Sequence, residues 1–214
     1  MPRPAAYASL ALVMVMATAQ AHADVMSFKL LPNYSRATFK SDAPLETFVG
    51  NTAAEGVDGT LTLDPARPQA ASGSVKVDMN LVKTGIERRD ADMRSKNYLE
   101  TEVEANRWVT FEITSVEIAG PLEPGKKVPA KIKGILTVKQ KPVQRVADAT
   151  VTWIKLTPED VEAQKRFGFT ADNIKVRAQF ATTFTDHGLK IPAILFYKVS
   201  NDIQLETDLT FVRR

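Results

Sequence analysis

Two-residue alternation recurs along most of this chain, and no other feature constrains its fold as tightly. From Val128 to Val138, the apolar or small residues Val128, Ala130, Ile132, Gly134, Leu136 and Val138 alternate with Lys131, Lys133 and Thr137. A strand points successive side chains to opposite faces, so such a segment buries one face and wets the other. Ser74 to Val82 does the same, setting Val75, Val77, Met79 and Leu81 against Lys76, Asp78 and Asn80. Trp108 to Ile118 continues it through Val109, Phe111 and Ile113. Val143 to Trp153, Ile174 to Phe184 and Asp202 to Val212 repeat it. Earlier, Met26 to Leu31 and Tyr34 to Lys40 flank the turn pair Pro32-Asn33, and Gly56 to Leu63 stops at Asp64-Pro65.

Strands that are each apolar on one side require a sandwich or a closed barrel, and the pattern alone allows both. About eight strands close into a barrel with room for one small ligand. Gly56, Gly59 and Gly134 sit inside strand patterns, at the kind of position where a barrel bends or another group approaches the backbone. An outer-membrane barrel has the same alternation turned inside out, but aromatic residues are too few here to form two girdles. No Pro/Gly/Ser-rich linker divides the chain, so residues 24–214 are expected to form one domain.

Residues 1–23 read as an address. Arg3 supplies positive charge, Leu10 to Ala19 is apolar, and Ala21-His22-Ala23 is an A-x-A cleavage signal. A signal peptide cut before Asp24 implies export, and a chain without disulfides fits a bacterial periplasm. The sequence contains no cysteine, which excludes thiol catalysis and Cys-ligated metals. After Ala23 the only histidine is His187, so multi-histidine metal sites are excluded and a Ser-His-Asp triad is disfavoured. His187 beside Gly188 reads as a turn residue. The formal net charge of +3 is too small to argue for a polyanionic partner, and no basic run with interleaved aromatics suggests nucleic-acid binding.

Two segments break the alternation. Thr157-Pro158-Glu159-Asp160 is a helix start: a cap, a proline for the first turn, and acids at the positive end of the dipole. That helix is expected to run to about Arg166 and stop at Gly168. The other break is Thr84 to Glu100, where Gly85 and a mixed-sign charged run predict a short surface helix, its acids and bases spaced to pair.

This second break carries a resemblance. Thr84-Gly85, Arg88-Arg89-Asp90, Met93-Arg94-Ser95 and Tyr98-Leu99-Glu100 resemble the motif of the YceI family of periplasmic lipid-binding proteins. The surrounding order is similar too: Tyr34-Ser35 and Phe39, then Gly59-Thr60-Leu61, then Val75 to Leu81 ahead of the motif. Trp108 to Ser115, Gly134-Ile135-Leu136-Thr137-Val138 and Phe167-Gly168-Phe169 follow in family order. There are departures. Asn33 stands where the family often has His, and Asn106-Arg107 replaces an aromatic-Pro approach to the Phe111 strand. His187 to Tyr197 is longer and more apolar than the family's simple connection, which suits a cavity rim, a membrane-contact patch or an interface between two copies.

The resemblance implies an all-β fold: an extended antiparallel eight-stranded lipocalin-like barrel with one or two short helices. It also implies a non-enzymatic carrier whose interior holds a polyisoprenoid or similar amphiphilic lipid. No cofactor is expected beyond a bound isoprenoid lipid or isoprenoid quinone, and no metal. The apolar wall expected to meet the lipid is Val77, Met79, Leu81, Phe111, Ile113, Ile132, Leu136, Phe180 and Phe184; the bland reading is that these residues pack solidly on one another. Two other functions compete. An enzyme acting on a lipid or quinone would use Arg89, Asp90 and Arg94 as a charged cluster. A periplasmic interaction module would use Leu189 to Tyr197. The family reading instead takes the Arg89-Asp90 pair as architecture.

Overall fold

The computed structural model describes residues 24–52, 54–194 and 197–214. The expected signal peptide, and Leu195 and Phe196 of the expected rim segment, lie outside the described residues. In chain order the elements are β1 (Met26–Leu30), β2 (Arg36–Ala43), β3 (Glu46–Thr52), β4 (Val57–Leu63), β5 (Ser72–Asp78) and β6 (Val82–Lys83). Then come α1 (Glu87–Arg94), α2 (Glu104–Arg107), β7 (Trp108–Ile118), β8 (Lys127–Val138), β9 (Lys141–Lys155) and α3 (Pro158–Gln164). The chain ends with β10 (Asp172–Thr183), the two-residue strands β11 (Ala193–Ile194) and β12 (Tyr197–Lys198), and β13 (Asp202–Arg213).

The strands settle the choice between sandwich and barrel. Antiparallel neighbours run β1-β4-β5-β7-β8-β9-β10-β13, and β13 returns to β1 through Phe28↔Arg213 and Leu30↔Phe211, closing an eight-stranded barrel. Closure pairs both edges of β1 and so covers the seam that an open sheet would leave for another chain. β2 lies against the same β13 farther along, Lys40 opposite Gln204 and Arg36 opposite Asp208. Thus β1 and β2 form one stave, interrupted by a 3-10 turn at Pro32–Tyr34. At that upper end β2 pairs with β3, and β3 with β6.

The inward faces are those read from the alternation. Phe28, Leu30, Leu61, Leu63, Ile132, Ile174, Leu209 and Phe211 belong to one buried cluster. Met79, Val82, Leu99, Leu136, Val138 and Leu189 form a second cluster at the α1 end, with Phe111 and Phe180 packed against both. Gly134 matters here because a Cβ on it would collide with the Phe111 ring and the Glu112 carbonyl; its absence lets Phe111 lie flat across β8.

The helices are three among the described residues, one more than expected, the addition being the single turn α2. Thr157 caps α3, its Oγ1 accepting from the Asp160 N–H (3.2 Å), and Gly168 ends the following 3-10 turn at φ 84°. α1 forms without a side-chain cap; Glu87 and Asp90 occupy its first turn and Arg94 its last, favourably for its dipole. Strand β3 was not expected. Its inward positions are Phe48, Gly50 and Thr52, so only one of three is large and apolar, and Phe39 covers Gly50.

Candidate functional site

Inside the barrel lie two adjoining chambers that share part of their wall. The narrow chamber, about 140 Å³, is walled by Leu61, Val75, Phe111, Ile113, Ile132, Leu136, Val176, Phe180, Leu209 and Phe211, among others. Pro68 and Leu122 floor it. The Leu122 N–H donates to the Pro65 carbonyl (2.7 Å), holding the loops after β4 and β7 across this end of the barrel, and both side chains are buried. The wide chamber, about 550 Å³, lies under α1. Ala37, Thr38, Val77, Val109 and Leu205 line both chambers and form the waist between them. The Phe111 and Phe180 rings, 5.4 Å between centres, stand just inside it.

The wide chamber opens to solvent on the α1 side, where exposed Ile86, Arg88 and Asp92 contribute to its wall. Three devices hold this mouth. The first is Asp90, only 6% exposed, whose Oδ1 accepts from both the N–H (2.8 Å) and the hydroxyl (2.7 Å) of Thr84. It thereby pins the chain entering α1, where Gly85 turns at φ 83°. The second is Arg94, which donates to the carbonyls of Val82 (2.8 Å) and Met79 (3.4 Å) and ties the helix's end to the end of β5. The third is Arg89, which pairs with Glu46 on β3 (2.8 Å) and lies over the Phe48 ring, 5.1 Å from its centre. Arg89 and Asp90, expected as a pair, therefore face different partners. Neighbours on a helix do not face each other, and each reaches to a separate strand connection.

Opposite α1, the connection between β10 and β13 supplies Phe184, His187, Leu189, Pro192, Ala193 and Val199. His187 is in a turn, as expected, yet is buried at 2% exposure. Its Nδ1 is 3.0 Å from the Lys141 carbonyl, so Nδ1 carries the proton, and Nε2 accepts from the Thr182 hydroxyl at 2.8 Å. Arg145 donates to the same hydroxyl (3.0 Å) and pairs with Asp186. Burial pushes the His187 imidazole below its ordinary value, and Arg145 works in the same direction; the Lys141 carbonyl and Asp186 oppose it. The ring is thus neutral and locked, a fixed piece of wall.

Of the residues expected to line the interior, Phe111, Ile113, Ile132, Leu136 and Phe180 line the narrow chamber. Met79 and Phe184 line the wide one, and Val77 lines both. Leu81 lines neither. The alternation that placed it inward stops at Asp78, whose carboxylate accepts from Asn80 N–H (2.9 Å) and whose carbonyl accepts from Leu81 N–H (3.0 Å). That Asx turn ends β5 and swings Leu81 away. Sequence reasoning missed Phe48, Thr182 and Val199, which sit on a weakly patterned strand, a strand end and a loop. For Leu189 to Tyr197 the cavity-rim reading is the one with structural footing, since Leu189, Pro192 and Ala193 line the chamber. Among the described residues, no group of three or more His, Cys, Asp or Glu could hold a metal ion, and no helix is long and apolar enough to cross a membrane.

A family model described as a YceI-like domain matches residues 28–211. A comparison with curated proteins found no match. Among solved structures, a polyisoprenoid binding domain from Saccharophagus degradans, implicated in plant cell wall breakdown, is similar at TM-score 0.61 and 15% identity, covering 88% of this chain and 99% of that one. Burkholderia cenocepacia BcnA is similar at TM-score 0.58 and 14% identity, covering 82% and 95%. The Campylobacter jejuni YCEI protein is similar at TM-score 0.57 and 17% identity, covering 77% and 84%.

Proposed function

The chain belongs to the YceI-like family, and from that premise we propose that it binds and carries a polyisoprenoid or similar long-chain amphiphile without transforming it. The observation that carries this reading is the pair of adjoining chambers: a floor of Pro68 and Leu122, a narrow chamber with aliphatic and aromatic walls, and a wide chamber open on the α1 side. A tail pushed to the floor gains about 0.8 kcal/mol for each CH₂ removed from water, so affinity needs no catalytic group. The polyisoprenoid binding described for the Saccharophagus degradans relative supports the class of cargo, either an isoprenoid lipid or an isoprenoid quinone. Binding rather than catalysis is further supported by the charged groups of the mouth: Asp90, Arg94 and Arg89 are each engaged in holding backbone or a neighbouring strand.

The address in residues 1–23 supports action in the periplasm. The rim supports delivery at an anionic phospholipid surface: Leu45, at the tip of the β2–β3 hairpin, is 81% exposed and Ile86 is 48% exposed, with the Arg88 cation beside the opening. Native mass spectrometry of protein purified under mild conditions tests the carrier reading. A co-purified long-chain lipid is expected, and Val77→Trp at the waist shifts the bound population to shorter tails. A protein that copurifies with nothing and takes up no added prenol overturns it.

A further inference from the structure

An amphiphile seated tail-first against Pro68 and Leu122 places its polar end in the wide chamber, at the α1 opening. Its surroundings there are set by α1. Arg89 is engaged by Glu46 and Asp90 by Thr84, which leaves Arg88 and Asp92 as the charged side chains of the chamber wall with no hydrogen bond or ion pair among the described residues. They stand four residues apart, one turn of the same helix face, with exposed side chains. Together they present a guanidinium that only donates and a carboxylate that only accepts, with no net charge between them.

Resting on the carrier reading, we propose that Arg88 and Asp92 select an uncharged head group that both accepts and donates hydrogen bonds, such as a primary alcohol or amide, and disfavour a phosphate. An alcohol accepts from Arg88 while its O–H donates to Asp92. A phosphate has charge complementary to Arg88 alone; it has little proton to give Asp92 and sets like charge against it. The two ends of the α1 face thus act as a sieve for head-group charge.

The test uses the purified protein with geranylgeraniol and geranylgeranyl monophosphate, which share a tail and differ only in the head. Competition for a fluorescent lipid gives both affinities. The alcohol is expected to bind about fivefold more tightly, the scale of one exposed like-charge contact. Asp92→Asn is expected to bring the two to within about twofold, because the amide no longer repels, and Arg88→Ala to weaken the phosphate further. The proposal is overturned if the phosphate binds as tightly as the alcohol, or if Asp92→Asn leaves the ratio unchanged. Failure of both probes to bind would instead strike the carrier reading itself, and this inference with it.

Discussion

The two ends of the barrel differ in what forms their walls. At the lower end β1, β4, β10 and β13 bring Phe28, Leu30, Leu63, Ile174 and Phe211 together, and buried Asp172 and Asn173 add directed bonds, Asp172 accepting from Trp153 Nε1 (3.0 Å) and Asn173 donating to the Thr170 carbonyl (2.6 Å). At the upper end the wall is a short polar helix and a long connection, held by Asp90 on Thr84, Arg94 on the Val82 carbonyl, and His187 between Thr182 and Lys141. Below, the strands supply the wall directly; above, a second apolar cluster is covered by a helix and a connection that directed hydrogen bonds hold in place. An opening cannot be lined wholly by packing, since the atoms that would pack are the ones the ligand displaces.

That contrast can be broken or sharpened by substitution. The largest effect is expected from Phe28→Ala, which empties the lower core and costs about 3–5 kcal/mol in denaturant unfolding. A loss under 1 kcal/mol would mean the lower end is not the packed half. Asp90→Ala is expected to cost about 1–3 kcal/mol by leaving the Thr84 N–H and hydroxyl without their acceptor. Its second signature is faster hydrogen exchange confined to Thr84 to Leu99, with the lower strands protected as before.

A subtler effect is pH dependence. The buried His187 titrates below its ordinary value, so between the two values the unfolded chain holds a proton that the folded chain does not. Stability is therefore fullest above about pH 6.5 and falls as the pH drops through that value. His187→Gln, which can still donate to the Lys141 carbonyl and accept from Thr182, is expected to flatten this slope; an unchanged slope assigns it elsewhere. Smallest of all is Leu45→Ser. At 81% exposure it should move stability by less than about 0.5 kcal/mol while reducing sedimentation with phosphatidylglycerol vesicles. If it changes the protein's oligomeric state instead, the rim is an interface between copies.

The same contrast explains what could be read from residues alone. Strands such as β8 and β10 were legible because one face of each carries uninterrupted apolar or small side chains to a core. The closed topology was not, because alternation is blind to which strand neighbours which; it came through the likeness around Thr84 to Glu100. The mouth was legible only in outline. A helix was expected at α1 and an apolar rim at Leu189, but partners such as Glu46 for Arg89 lie 43 residues away and leave no local pattern. Two of the departures are local conflicts: β3, where Gly50 makes room for a ring instead of supplying apolar bulk, and Leu81, where the Asp78 turn overrode a period that still scanned as strand.

The floor of Pro68 and Leu122 has a kinetic meaning. A guest seated tail-first against that floor and leaving through the α1 opening backs out while its tail returns to water methylene by methylene. If that transfer sets the barrier, each added CH₂ slows spontaneous departure by about fourfold. Dwell time then climbs geometrically with chain length, and a long guest exchanges at a useful rate only where a second oily phase meets the door.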